Sequence, residues 1–87
     1  MIQLIFHKHF FESSALLTNV HQEKLSQLLE IIQKDPYDPR LHTKRLTGSL
    51  YGLLSFRITR DWRGMFRFLN PHTIHLLRIK HRKDIYR

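Results

Sequence analysis

Residues 53–68, LLSFRITRDWRGMFRF, decide the fold that this sequence predicts. On both sides of a short polar break at residues 59–61, apolar and polar residues alternate, as they do along a strand with two unlike faces. Two such runs around a short break predict an antiparallel hairpin. One face of the hairpin is apolar, whereas the other presents three arginines, Arg57, Arg63 and Arg67. Aligned arginines repel one another unless they share an anion, so we interpret this second face as the working surface.

The length of the chain, 87 residues, predicts a single domain over residues 1–87 with one modest core. The chain has no cysteine, which excludes a disulfide framework and a zinc–cysteine site. This composition fits a reducing cytoplasm, which is the location that we expect. The apolar run within residues 1–11 is too short for a signal peptide or a membrane span, so we expect no membrane partner.

The positive charge is concentrated in the half of the chain that contains the hairpin. The formal net charge is +8, with a net of −1 over residues 1–43 and +9 over residues 44–87. A concentrated basic surface is typical of a nucleic-acid-binding protein, or of a protein that an acidic partner covers. A solvated basic surface without a specific function is the alternative.

The remaining segments predict a strand, two helices and further strands around the hairpin. They are a strand at residues 2–6, helices at 8–17 and 19–34, a loop at 35–53 and a strand at 73–80. The longer helix has Asn19 as a suitable N-cap and ends at Asp35, because a residue before proline disfavours the α region. Its buried stripe has the spacing i, i+3, i+4, i+7: Leu25, Leu28, Leu29 and Ile32.

The predicted fold class is α+β, with an N-terminal strand, two helices and an antiparallel meander of three to four strands. The helices should pack on one face of the sheet and leave the other face, with its arginines, open. Leu76 and Leu77 are adjacent and both apolar, which indicates a central strand that is covered on both faces.

The sequence gives no evidence for a metal, a cofactor or a common catalytic triad. His7 and His9 would point the same way on a strand, but no further ligand has a useful spacing, so we expect no metal site and no cofactor. The chain has no glycine-rich phosphate loop. Only Asp61 and Asp84 supply carboxylates in the basic half, which disfavours a paired-carboxylate mechanism.

The basic half instead offers basic and aromatic residues that suit phosphodiester chemistry on RNA: Arg57, Arg63, Arg67, Arg78, Lys80, His81, Arg82, Lys83 and Tyr86. Arginines match phosphate oxygens and stabilise the charge that builds at phosphorus. Histidine, tyrosine or a desolvated lysine can transfer protons, and an aromatic ring can stack on an unpaired base. Binding of RNA without catalysis explains the arginines equally well, and His81 could equally be a surface residue and Tyr86 a packing residue.

Several short motifs, in this order and spacing, resemble the RelE/ParE superfamily, the toxins of bacterial type II toxin–antitoxin pairs. They are LTG at residues 46–48, SFRI at 55–58, DWR at 61–63 and HRKDIYR at 81–87. The resemblance covers nearly the whole chain and implies a β-α-α-β-β-β fold. For the RelE-like branch it implies cleavage of mRNA on the ribosome, in which the substrate's own 2′-hydroxyl attacks the adjacent phosphate. It also implies a cognate antitoxin protein as a partner.

The same resemblance implies catalytic roles for four residues: Arg57, Arg63, His81 and Tyr86. Arg63 matches a phosphate-stabilising arginine, and Arg57 stands where relatives place a basic or imidazole group. His81 or Arg82 falls in the segment that supplies a general acid or an arginine. Tyr86 matches an aromatic residue that orients the substrate base.

Further residues are expected to contact the substrate. Asp61 matches an aspartate that one branch uses, and Lys44 stands where one branch has an active-site histidine. The expected substrate-binding residues are Lys44, Arg45, Asp61, Arg67, Arg82 and Lys83.

The chain departs from the pattern at two positions and leaves two alternatives open. The paired lysines of the best-known RelE toxins would fall at Leu54 and Phe56, which are apolar here. One alternative is the ParE-like branch, which has the same fold but inhibits DNA gyrase. The other is a catalytically weak homologue that binds RNA or its antitoxin. The nuclease branch is favoured because Arg63, His81 and Tyr86 are all present.

Overall fold

The computed structural model describes residues 1–85, and its strands and helices follow the predicted order. The elements are β1 (Gln3–Phe6), α1 (Lys8–Ser14), α2 (Asn19–Lys34), β2 (Lys44–Arg45), β3 (Leu54–Arg57), β4 (Trp62–Asn70) and β5 (Thr73–His81). Short 3₁₀ helices lie at Pro39–Leu41, Gly48–Leu50 and Arg82–Asp84. This order confirms the predicted α+β class.

The five strands form one mixed sheet in the order β1-β5-β4-β3-β2. β1 runs parallel to β5, while the other neighbouring strands are antiparallel. The hairpin predicted at residues 53–68 is the β3–β4 pair. β2 lies within the predicted loop at 35–53 and pairs Lys44 with Ser55 and Arg45 with Leu54. Two residues are too few for an alternating pattern to be visible in the sequence.

The helices differ from the predicted ones only at their ends. Thr18, not Asn19, is the N-cap of α2, because its hydroxyl oxygen accepts a hydrogen bond from the backbone N–H of His21 at 3.3 Å. α1 ends at Ser14, where the hydroxyls of Ser13 and Ser14 donate to carbonyls of the preceding turn and compete with the helix. Within residues 1–85, neither helix combines the length and apolar character needed to cross a bilayer.

The main core lies between the helices and one face of the sheet. The helices contribute Phe10, Leu25, Leu28 and Ile32, and the sheet contributes Leu54, Phe56, Phe66, Ile74, Leu76 and Ile79. Each large side chain that is fully buried contributes about 1.5–3 kcal/mol relative to its exposed state. The apolar face of the hairpin is therefore the part that anchors it to the helices.

A β-bulge in β5 changes which residues face the helices. Phe66 of β4 pairs with Leu76 and the preceding Met65 pairs with Arg78, so Leu77 has no pairing partner on β4. An extra residue of this kind reverses the alternation of faces beyond it. Leu76 therefore faces the helices, as does Ile79, while Arg78 and Lys80 turn to the opposite side. Leu77 lines a cavity on that opposite side together with Leu50 and Leu53, so the two adjacent leucines of β5 contact apolar groups on opposite faces of the sheet.

The outer face of the sheet, opposite the helices, is only partly open. A second apolar cluster covers it, with Leu46, Met65 and Ile85 buried and with Leu50 and Leu53 packed against them. Met65 is 4% exposed and Ser55 6% exposed on this face. The prediction of an open face is therefore wrong at its centre, because residues 46–53 and Ile85 fold over it.

Gly64 allows β4 to pack against the core. A Cβ added there would overlap the ring of Phe56, which is fully buried. We expect Gly64→Ala to lower the free energy of unfolding by about 1–3 kcal/mol, as overpacking of a closed core does. Denaturant unfolding measures this, with Leu69→Ala as an exposed control on the same strand. An equal, small effect of both changes would contradict this packing.

Candidate functional site

A cavity of about 480 Å³ lies on the outer face of the sheet, where the hairpin, β2 and the segment after β5 meet. We call it the cationic cavity. It is lined by His42, Thr43, Lys44, Leu46, Ser55, Arg57, Arg63, Arg82 and Ile85. Four of the predicted site residues are thus brought together from three separate parts of the chain: Lys44, Arg57, Arg63 and Arg82.

The centre of the site is a pair of arginines that face each other across the hairpin. Arg57 on β3 lies directly opposite Arg63 on β4. The turn fixes this register, since the Ile58 N–H donates to the Trp62 carbonyl at 3.0 Å and the Thr59 hydroxyl oxygen accepts from the Trp62 N–H at 3.1 Å. Like charges directly opposite each other destabilise an antiparallel pair. The fold therefore holds these two cations together against their own repulsion.

Arg63 is the more enclosed of the two arginines, and its Nη2 donates to the Arg60 carbonyl at 3.3 Å. Burial lowers the pKa of Arg63 from its usual value, and the charges of Arg57 and Arg82 lower it further, while Asp61 opposes the shift. A guanidinium stays protonated in proteins at physiological pH. The cavity therefore keeps a concentrated positive charge, which suits a phosphate group.

Arg82 reaches the cavity from the 3₁₀ helix that follows β5. Its backbone N–H donates to the Asp61 carbonyl at 2.7 Å, and its Nε lies 3.6 Å from the Asp61 carboxylate. Both side chains are about half exposed, so the ion pair itself contributes little stability. Asp61, a predicted substrate contact, lies outside the cavity lining and connects the hairpin turn to the segment after β5.

The other predicted substrate contacts lie around the cavity rather than in it. Lys44 and Arg45 are neighbours on β2, so they point to opposite sides of the sheet, and only Lys44 lines the cavity. Arg67 is exposed on β4, opposite His75 on β5. Lys83 is exposed in the 3₁₀ helix after β5.

His81 is not among the residues that line the cationic cavity. Because it follows the bulge in β5, its ring lies beside Trp62, with the ring centres 5.3 Å apart. Its Nδ1 accepts a hydrogen bond from the Lys83 N–H at 3.2 Å, which caps the 3₁₀ helix. Tyr86, the fourth predicted catalytic residue, lies outside the described residues 1–85.

His42 is a cavity residue that was not among the predicted site residues. Its backbone has φ 50° and ψ 44°, a left-handed conformation that residues other than glycine rarely adopt. The fully buried Leu41 precedes it, and the Thr43 hydroxyl that follows it donates to the Pro36 carbonyl. The available signal was the position of His42 two residues before Lys44, in a basic segment that leads to the hairpin.

The arrangement suits phosphate binding and proton transfer. Within residues 1–85, no group of three or more histidines and carboxylates is arranged to hold a metal ion. Three guanidinium groups and one ammonium group offer donors to phosphate oxygens. His42 adds an imidazole, a group that can donate or accept a proton.

Comparison with known proteins finds similar structures but no similar sequence. No protein-family model matches the chain, and no curated protein matches its sequence. Three solved structures have similar folds over almost all of both chains. YafQ from E. coli strain BL21(DE3) matches with a TM-score of 0.79 and 15% identity, over 100% of each chain. A YoeB/ParE toxin from Agrobacterium tumefaciens has a TM-score of 0.77 and 18% identity, over 92% of this chain and 98% of the other. The toxin–antitoxin complex RelBE2 from Mycobacterium tuberculosis has a TM-score of 0.76 and 22% identity, over 93% and 98%.

The repulsion between Arg57 and Arg63 can be measured directly. We expect Arg63→Gln to raise the free energy of unfolding at low salt by about 0.2–1 kcal/mol, because a like-charge pair is removed. The same variant should lose the stabilisation that added phosphate gives to the unchanged protein. Denaturant unfolding at several salt and phosphate concentrations measures both effects. Arg67→Gln, outside the cavity, is the matched control, and equal phosphate stabilisation of both variants would contradict the site.

Proposed function

We propose that this chain, which has the fold shared by the RelE/ParE superfamily toxins, is the toxin of a type II toxin–antitoxin pair and a ribosome-dependent mRNA endonuclease. The observation that carries the proposal is the convergence of Arg57, Arg63 and Arg82 on one cavity. Three guanidinium groups around about 480 Å³ suit one phosphodiester with its adjoining ribose.

In the proposed reaction the 2′-hydroxyl of the mRNA attacks the adjacent phosphorus. A bond forms between O2′ and phosphorus, and the bond from phosphorus to the 5′ oxygen of the next nucleotide breaks. The products are a 2′,3′-cyclic phosphate and a 5′-hydroxyl. Negative charge builds on the phosphoryl oxygens in the transition state, where Arg57 and Arg63 would stabilise it without having to be reorganised. Lys44 and Arg82 would bind the neighbouring phosphates.

This reaction also needs a group that takes the 2′ proton and a group that protonates the 5′ oxygen. His42 already lines the cavity, which supports it as one of these groups. His81 and Tyr86 remain proposed catalytic residues on the strength of the family resemblance. For His81 to act, its side chain would have to turn toward the cavity when RNA binds, because the His81 ring packs beside Trp62.

The proposed partners follow from the same surface. The net charge of +9 over residues 44–87 suits an antitoxin whose acidic or amphipathic segment covers the cationic cavity. It also suits mRNA and the ribosome, whose phosphates are anionic. Action on translated mRNA implies a cytoplasmic protein, with no membrane partner.

Inhibition of DNA gyrase is the second candidate function, as for the ParE-like branch of the fold. One observation favours it. The best-known RelE toxins would have paired lysines at positions 54 and 56, but Leu54 and Phe56 are buried in the core here and offer no proton-transfer group. A catalytically weak protein that only binds RNA or an antitoxin is compatible with the same observation.

Expression of the chain alone should arrest growth and cut translated mRNA. Arg63→Ala should lower the cleavage rate on ribosome-bound message by about 10²–10³, the usual loss when one donor to the transition-state charge is removed. Primer extension on a purified translation system measures the rate, and Arg67→Ala is the matched arginine control. Full cleavage by Arg63→Ala would contradict the assignment. Intact message together with gyrase-linked DNA breaks would favour the gyrase inhibitor.

The two candidate imidazoles can be separated with matched variants. We expect His42→Gln to lower the cleavage rate by about 10²-fold or more, as the loss of a general acid or base does. His81→Gln is compared in the same assay, and His72→Gln, exposed at the opposite end of β4, is the control. Full activity of His42→Gln with loss only in His81→Gln would contradict the role of His42 and favour His81 as the proton-transfer residue.

A further inference from the structure

Tyr51 is one of the most exposed aromatic residues of the protein, with 88% of its side chain accessible. It lies in the loop formed by residues 46–53, which follows β2 and covers the second apolar cluster. Within residues 1–85 the Tyr51 ring has no aromatic neighbour. Tyr37, in contrast, is 51% exposed and has its ring stacked on Phe68, with ring centres 6.3 Å apart. Stacking on Phe68 therefore accounts for the position of the Tyr37 ring, whereas no such contact accounts for the Tyr51 ring.

The 46–53 loop holds its exposed tyrosine in a defined position. The Leu46 N–H donates to the Leu53 carbonyl at 2.9 Å and closes the loop, and the Tyr51 N–H donates to the Gly48 carbonyl at 3.1 Å. Gly48 and Gly52 have φ of +64° and +93°, which L side chains rarely adopt. Leu46, at the start of the loop, is buried, and Leu50 and Leu53 pack against the same apolar cluster. The backbone that carries the ring is already ordered, so a ligand that covers the ring does not have to order the loop.

Arg45 gives the exposed ring a cationic neighbour. Arg45 and Tyr51 line the same small cavity of about 110 Å³, together with Leu46, Gly52 and Leu53. Arg45 directly follows Lys44, and alternation on β2 sends Lys44 to the cationic cavity and Arg45 to the other side. Leu46 lines both the cationic cavity and this small cavity, so the two adjoin each other at β2.

We propose that Tyr51 and Arg45 form a stacking site for an unpaired nucleobase of the RNA whose backbone occupies the cationic cavity. This inference rests on the proposed function, because it needs RNA in that cavity. The ring provides a π face for the base, and the guanidinium provides either a phosphate contact or a second stacking plane. The local charge favours a nucleic acid over an apolar protein segment, since the aromatic ring stands beside a cation and not within a broad apolar patch.

The site is tested with a short fluorescein-labelled single-stranded RNA in which every 2′-hydroxyl is methylated, so that the attack cannot occur. Fluorescence anisotropy then gives the Kd for the unchanged protein and for Tyr51→Ala, Tyr51→Phe and Tyr37→Ala. Tyr51→Ala should weaken binding about 5- to 150-fold, the loss expected when stacking of one base is removed. Tyr51→Phe and Tyr37→Ala should bind as the unchanged protein does. The slope of log Kd against log salt should not change, because no phosphate contact is lost.

An abasic RNA with the same backbone is the matched ligand control. The unchanged protein and Tyr51→Ala should bind it with equal affinity, since it has no base to stack. The proposal is overturned if Tyr51→Ala binds the complete RNA as tightly as Tyr37→Ala does, as it would if the ring contacted a protein partner instead. It is also overturned if Tyr51→Ala loses as much affinity for the abasic RNA.

Arg57→Ala distinguishes this inference from the proposed function. Weaker RNA binding by Arg57→Ala with unchanged binding by Tyr51→Ala would leave the cationic cavity as the RNA site and reject only the stacking site. Unchanged binding by both variants would reject the RNA-directed function and the stacking site together.

Discussion

The β3–β4 hairpin holds two guanidinium groups opposite each other in spite of their repulsion, and this arrangement depends on the core behind the hairpin. Arg57 and Arg63 face one another across the β3–β4 hairpin, an arrangement that costs about 0.2–1 kcal/mol. The other face of the same hairpin buries Phe56 and Phe66 completely, and burial of one such ring contributes about 1.5–3 kcal/mol. The free energy gained by burying the two rings is therefore several times larger than the cost of the repulsion. The two cations stay in place without a bound anion. Two cations held in this way are already in position for an anion between them.

The second apolar cluster determines which arginines belong to this site. Arg63, Met65 and Arg67 follow one another on the same face of β4, and their alternation alone gives no reason to distinguish the two arginines. Met65 between them is buried by Leu46 and Ile85. Arg63 lies on one side of this cover, in the cationic cavity, and Arg67 lies exposed on the other side. Apolar packing on the outer face thus separates Arg63, which lines the cationic cavity, from Arg67, which is an exposed surface residue.

The predictable part of the structure is the part that depends on local alternation. The hairpin, the longer helix and the α+β order follow from the spacing of apolar and polar residues within each segment of the sequence. The orientation of His81 does not, because it depends on one unpaired residue, Leu77, which reverses the faces of β5. The presence of His42 in the cavity depends on a left-handed backbone that no local pattern indicates. The assignment of Lys44 to the cavity depends on β2, a strand of two residues that exists only through its pairing with β3.

The order of the strands has a consequence for how the protein is made. β5 follows all the other strands in the chain, yet it lies between β1 and β4 in the sheet. During synthesis β1 and the β3–β4 hairpin therefore exist before the strand that connects them, and the sheet cannot be completed until β5 is available. Arg82, which lines the cavity, is made after β5. The cavity is consequently among the last features that can form, and a chain that stops short of β5 contains the two arginines of the hairpin but not the complete site.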